Sequence, residues 1–233
     1  TRFLENKEQI RKFIFGIKPK NSNCGDDKIN YLEILIPELL QPGYSFTTWT
    51  AAPILATFLW ERRHSLVNKR ILEIGSGTSL PGILASKCGA FVTLTDCITL
   101  PKTLSHIRKC CRLNNLQVGR DIEVTGLTWG LFLDSTLQLG PIDLIIGSDI
   151  FYDPSVFEDI LATVSFLLKN NPHAKFLFTY QERSSDWSIE PLLKKWGLNC
   201  SNISLENVGR NSDVDLNELM GSVTILLLEI TLR

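Results

Sequence analysis

Residues 70–82 read Arg70-Ile71-Leu72-Glu73-Ile74-Gly75-Ser76-Gly77-Thr78-Ser79-Leu80-Pro81-Gly82. An apolar, strand-like run passes directly into two glycines one residue apart, and then into the helical period of Leu80 to Cys88. Glycines at a tight strand-to-helix turn leave the backbone open to close approach by a ligand. A dinucleotide fingerprint would need a third glycine three residues after Gly77; Leu80 fills that place, and a Gly-x-Gly pair alone is a weak signal. Glu73, two residues before Gly75, adds to it. A carboxylate there suits the cationic amino-acid portion of a zwitterionic ligand and repels a pyrophosphate. Asp96 ends the next strand about twenty residues on, where a carboxylate accepts both ribose hydroxyls.

On both sides of this turn the hydrophobic period alternates. Strands are expected at Arg70 to Ile74, Phe91 to Thr95, Ile122 to Thr125, Ile142 to Gly147 and Lys175 to Thr179. Helices are expected at Ala51 to Arg62, Leu80 to Cys88, Leu100 to Asn114, Phe157 to Lys169 and Ile189 to Trp196. Right-handed crossovers then give a mostly parallel, doubly wound sheet with its ligand beyond the carboxyl ends of the strands. Cys200 to Leu205 and Val223 to Leu232 follow with no long helix between them, which makes the final strand an antiparallel insertion near the sheet edge. Ahead of the core, Phe13 to Ile17 and Ile29 to Ile36 flank a linker, Lys18 to Lys28, and read as a hairpin-like extension.

The balance of 24 basic and 25 acidic side chains gives no electrostatic footprint for nucleic acid or an anionic membrane, and neither is expected as a partner. Six cysteines without a Cys-x-x-Cys pair and three scattered histidines suggest neither a metal site nor a disulfide framework, and favour a reducing compartment. No apolar run reaches membrane-spanning length and no signal-peptide layout opens the chain. It begins at Thr1 rather than methionine, as a fragment would.

Further chemistry gathers after the later strands. Trp129, in Gly126-Leu127-Thr128-Trp129-Gly130, can stack on a purine, with core packing as its competitor. Ser148, Asp149, Tyr152 and Asp153 crowd the carboxyl edge of the next strand, where an acceptor would enter. Asp149 and Asp153 are candidates to position a nitrogen and take its proton, Tyr152 and Trp49 are aromatic walls for a cation, and Glu182 could reach the same rim. A helix-capping role for Asp153, ahead of Pro154, carries equal weight. His106 and His64 read as surface side chains, Cys110-Cys111 as packing, and Trp187 and Trp196 as core.

Taken together, Trp49, Leu72 to Gly77, Pro81-Gly82, Asp96, Asn114-Asn115, Leu127 to Gly130 and Ser148 to Tyr152 make the sequence resemble the methyltransferase-like family sixteen of small protein methyltransferases. A narrower resemblance, to a histone-arginine branch, runs through Leu59-Trp60, Ser79 to Ala85, Phe157 to Thr163, Thr179 to Gln181 and Asp186 to Ser188. The chain departs from the family where Thr50-Ala51-Ala52-Pro53 follows Trp49, since proline often comes directly after that tryptophan. The resemblance implies a Rossmann-like seven-strand class I α/β fold with an antiparallel last strand, the methyltransferase domain spanning 49–233 and a β extension over 1–48. It implies S-adenosylmethionine held by Glu73, Gly75, Asp96 and Trp129; the placement of the residues adds Trp49, Gly77 and Ser148 to that seat and makes Asp149, Tyr152 and Asp153 the candidates for catalysis. The resemblance also implies methylation of histone H3 arginine or another protein, a chaperone partner, and residence in nucleus and cytoplasm. The residues themselves leave open a lysine acceptor, a nicotinamide oxidoreductase and a non-catalytic module that keeps the fold. The paired-glutamate loop of well-known arginine enzymes is missing, so chemistry alone places lysine close behind arginine.

Overall fold

The computed structural model describes residues 8–16, 30–39, 44–132, 139–184, 187–206, 208–209 and 216–233. Its centre is a seven-stranded sheet: β3 (Arg70–Glu73), β4 (Phe91–Asp96), β5 (Glu123–Gly126), β6 (Leu144–Ser148), β7 (Lys175–Gln181), β8 (Leu198–Ile203) and β9 (Ile225–Leu232). The spatial order is β5-β4-β3-β6-β7-β9-β8. Pairing is parallel from β5 to β7, while β9 runs antiparallel between β7 and β8. The chain leaves β3 for β4 on one side and later returns to β6 on the other. A crevice opens at the carboxyl ends of the strands where the order reverses in this way.

Period-two alternation divides the side chains between two cores. Leu72 and Ile74 join α5 (Phe157–Asn170) and α6 (Glu190–Trp196) on one face. Ile71 faces the other, with α1 (Ala51–Glu61), the single turn α2 (Arg63–Leu66), α3 (Leu80–Lys87) and α4 (Pro101–Leu113). Glu73, two residues after Ile71, must point into that second layer, and this decides its role. A last short helix, α7 (Leu216–Met220), precedes β9.

The N-terminal extension is a nine-rung antiparallel hairpin of β1 (Glu8–Gly16) and β2 (Tyr31–Leu39), which buries Phe13, Phe15, Ile34 and Ile36 in the second core. It starts earlier than the apolar pattern suggests because four of the five residues from Glu8 to Lys12 are long and polar, and Ile10 among them faces outward; the Arg11 guanidinium lies 4.7 Å from the Phe13 ring centroid and Lys12 pairs with Glu33. The linker Lys18 to Lys28 lies outside the described residues. Asn114, at the end of α4, docks the hairpin: its Oδ1 accepts Leu35 N–H at 2.9 Å and its Nδ2 donates to Leu35 C=O at 2.7 Å. The side chain thus copies one rung of a neighbouring strand.

Contrary to the surface position expected from the sequence, His106 is buried, edge-on to Phe46, with burial lowering its affinity for a proton. Thr103, His106, Ile107, Cys110 and Cys111 form one helical face, and the hairpin roofs the part of it that would otherwise meet water. His64 is exposed, and Cys110 and Cys111 are packed in the core as expected. Trp187 meets Phe157 edge-to-face, and Trp196 borders the same core.

Candidate functional site

A cavity of about 600 Å³ opens at the strand ends around the glycine turn, within the size range of small-molecule sites. Gly75, Gly77 and Ser79 take left-handed backbone with φ of 61°, 50° and 61°. At Gly75 a Cβ would come within 2.8 Å of Ile150 Cγ2 and 2.9 Å of Trp129 Cζ2. The absent side chain is therefore the space in which the indole lies against the turn. Gly77 meets nothing nearer than 3.7 Å, so there only the φ requires glycine.

Asp96, 9 % exposed, forms one wall. Its Oδ2 accepts Gly77 N–H at 3.0 Å and its Oδ1 accepts Cys97 N–H at 2.8 Å. Burial raises its affinity for a proton, and these two amides work against that. A carboxylate offers about four acceptor positions, so two remain for a ligand's hydroxyls. Trp129 is partly buried, backed by the core and open to the cavity. Trp49, Ser148, Asp149 and Tyr152 line the same space.

Three expected site residues do not. Glu73 is 1 % exposed and turned under the first turn of α3, where its Oε2 accepts Gly82 N–H at 3.2 Å. Strand alternation puts it behind the cavity wall, and its side chain does not line the cavity. Burial pushes its carboxyl up to about 8, against partial relief from Gly82 and Ser76. Asp153 caps the turn Pro154–Val156, its Oδ1 accepting Ser155 N–H at 3.0 Å, which holds its carboxyl below the usual range. This is the capping alternative, and it turns the carboxylate away from catalysis. Glu182 is exposed and outside the cavity; the β7 end contributes Arg183 instead.

Arg183 is the chief residue that sequence reasoning missed. It grips Asp149 in a two-pronged pair, Nη1 to Oδ1 at 2.8 Å and Nη2 to Oδ2 at 2.5 Å. The hairpin also reaches the site: Glu38 Oε1 accepts Thr48 N–H at 2.9 Å, Arg11 donates to Thr48 C=O, and Thr48 Oγ1 meets Thr78 Oγ1 at 3.1 Å. Thr48 precedes Trp49, so the hairpin fixes that aromatic wall. No helix among the described residues is long and apolar enough to cross a membrane, and they contain no group of three or more metal-ligating side chains.

Comparison with known proteins agrees with this geometry. The family described as lysine methyltransferase matches residues 29–189. The histone-arginine methyltransferase METTL23 of Xenopus laevis is 44 % identical over 98 % of this chain and 95 % of its own length. The human protein of that name is 47 % identical over 78 % of this chain and 95 % of its own. A zebrafish (Danio rerio) protein N-lysine methyltransferase, METTL21A, is 38 % identical over 54 % of this chain and 56 % of its own. Among solved structures, the Thermus thermophilus 16S rRNA N2 G1207 methyltransferase, in complex with AdoMet and guanosine, has a TM-score of 0.58 at 16 % identity, covering 96 % of this chain and 51 % of that one. The ribosomal protein L11 methylase of Lactobacillus delbrueckii has a TM-score of 0.55 at 16 % identity, covering 83 % and 84 %. These structural likenesses support the Rossmann-like class I fold.

Proposed function

Since the chain belongs to the lysine methyltransferase family of protein methyltransferases, we propose that its methyl donor is S-adenosylmethionine and its acceptor a side-chain nitrogen, foremost an arginine of histone H3. The cavity fits the donor on its own terms. Gly75 lets the Trp129 indole close against the turn, Asp96 keeps acceptor capacity for two ribose hydroxyls, and that indole offers an aromatic wall for adenine. When bound, the donor supplies an electrophilic methyl on a sulfonium and a neutral thioether leaving group.

The chain's own residues then have mainly to bind, orient and exclude water. Trp49, Gly75, Gly77, Asp96, Trp129 and Ser148 hold the donor; Glu73 acts at one remove, by supporting the turn from beneath. Trp49 and Tyr152 frame the acceptor nitrogen, and Asp149 shapes the seat between them. The observation that carries this reading is the shared cavity: the glycine turn, Asp96 and Trp129 meet Asp149 and Tyr152 in one space.

Arginine is placed first because the relatives matching most of the chain carry histone-arginine methyltransferase in their names. A lysine acceptor is the second reading, supported by the family's description and by the zebrafish relative. Work on histones is consistent with residence in the nucleus as well as the cytoplasm, and a chaperone is a candidate partner. Incubating purified protein with isotopically labelled S-adenosylmethionine, recombinant histones and cell extract, followed by mass spectrometry, tests the proposal. Label on H3 arginine is expected; label on lysine alone would favour the second reading, and none on any protein would reject both.

A further inference from the structure

The Asp149–Arg183 pair does more than close a salt bridge. Asp149 follows β6 directly and has a φ of 55°, a left-handed backbone that costs a side-chain-bearing residue energy. What holds it there comes from the neighbouring strand: its N–H donates to Thr179 C=O at 2.8 Å, Gln181 N–H donates to its Oδ1 at 3.3 Å, and Arg183 takes both oxygens. The carboxylate is 4 % exposed and the Arg183 side chain 24 %. A charge so buried is tolerable only with its partner in place. A planar fork meets both oxygens from one direction, which an ammonium does not.

We propose that Arg183 is a positioning residue for methyl transfer: by clamping Asp149 it fixes the turn from Asp149 to Tyr152, and hence the place of Tyr152 beside the acceptor nitrogen. This rests on the reading of the cavity as the acceptor site. Asp149 and Tyr152 are three residues apart and both line the cavity, so a shift in the clamped residue is carried to the aromatic wall. With three donors already on its two oxygens, Asp149 orients the turn and leaves proton removal to other groups or solvent.

The test compares the full-length wild type with Arg183→Gly and Arg183→Lys. Donor affinity, read by calorimetry, should stay within about twofold, because the glycine turn and Asp96 belong to other strands and Ser148 is held in β6 by its own pairing with Thr179. Turnover on the protein substrate should fall roughly ten- to hundredfold in Arg183→Gly, the range expected for a misplacement of about 1 Å. Arg183→Lys should recover part of it. Guanidinium chloride at low millimolar concentration should restore part of the lost turnover in Arg183→Gly, while equal urea should not. Wild-type turnover in Arg183→Gly would overturn the proposal. So would competition between guanidinium and the protein substrate, which would make Asp149 a seat for the acceptor itself. If the glycine variant does not fold, full activity of Arg183→Lys overturns it. Absence of donor binding and of methylation in the wild type would reject the functional reading beneath it, a result distinct from an active wild type with unaffected variants.

Discussion

Glu73 Oε2 accepts the backbone N–H of Gly82 at 3.2 Å, beneath the first turn of α3, while Oε1 beside it has no hydrogen-bond partner among the described residues. A Cβ on Gly82 would lie 2.4 Å from Oε2, so the glycine is what admits the carboxyl. Burial raises this group from an ordinary 4.5 to about 8, and it keeps its proton at neutral pH. Below pH 4.5 folded and unfolded chains both hold that proton and stability is unaffected. As pH rises towards 8 only the unfolded chain releases it, which favours unfolding by up to about 1.4 kcal/mol per unit; above 8 the loss levels off. Glu73→Gln should therefore melt higher than wild type at about pH 8 and show a much smaller gain at about pH 5. Equal melting shifts at both pH values would contradict the raised proton affinity.

Asp96 carries a different prediction, since its carboxylate faces the cavity and already accepts two amides. Removing it in Asp96→Ala takes away the ribose seat and also the acceptor that holds Gly77. Hydrogen bonds to a charged group contribute about 1.5–3 kcal/mol each, so S-adenosylmethionine affinity should fall at least about tenfold. Melting temperature should drop modestly as well. Calorimetry showing unchanged affinity would remove Asp96 from the donor site.

Much of this was legible in the chain because strand-end residues are marked by the elements themselves. The period change at Gly75, Asp96 ending a β-branched run, and the closing pair of strands without a helix between them point to a mostly parallel sheet with an antiparallel last strand and to the cavity's place at the strand ends; the spatial order of the strands is not written in them. Its place two residues before Gly75 suggests that Glu73 meets a ligand, whereas the alternation of Ile71 and Glu73 against Leu72 and Ile74 turns it into the core. His106 looks like a surface side chain in the sequence because its cover, the hairpin, comes from residues far away in the chain. Arg183 could not be found by pattern: its meaning depends on β6 and β7 lying side by side, which brings together two residues whose separation in the chain carries no signal. The same holds for Glu38 with Thr48, where a surface-like glutamate turns out to hold the segment leading to Trp49.

The two glycines of the turn should respond unequally. Gly75→Ala meets both a positive φ and two close carbon contacts, from Ile150 and Trp129. Gly77→Ala meets the φ alone. A strained left-handed residue costs of order 1–3 kcal/mol, and the crowding at position 75 adds displacement of the indole that walls the cavity. Gly75→Ala should thus lose more donor affinity than Gly77→Ala, and its tryptophan fluorescence should shift where that of Gly77→Ala does not. The reverse ranking would mean that Trp129 does not pack on the turn in solution.

Asn114 links α4 to β2 through both polar groups of Leu35 and also donates to Cys110 C=O at 2.8 Å. Asn114→Ala leaves the N–H and C=O of Leu35 without these partners at a part-buried site, a cost of about 1–3 kcal/mol. Packing of Phe15, Ile34 and Ile36 keeps the hairpin in contact with the core, so the expected result is a looser hairpin on an otherwise intact domain. Amide exchange should therefore quicken in β1 and β2 while β3, β4 and β6 stay protected. The hairpin supports Thr48, and through it Trp49, by way of Glu38 and Arg11. The variant should accordingly raise KM for the protein substrate more than it weakens S-adenosylmethionine binding. Uniform loss of protection across the sheet would show instead that the hairpin and the core unfold as one unit, and that Asn114 serves global stability alone.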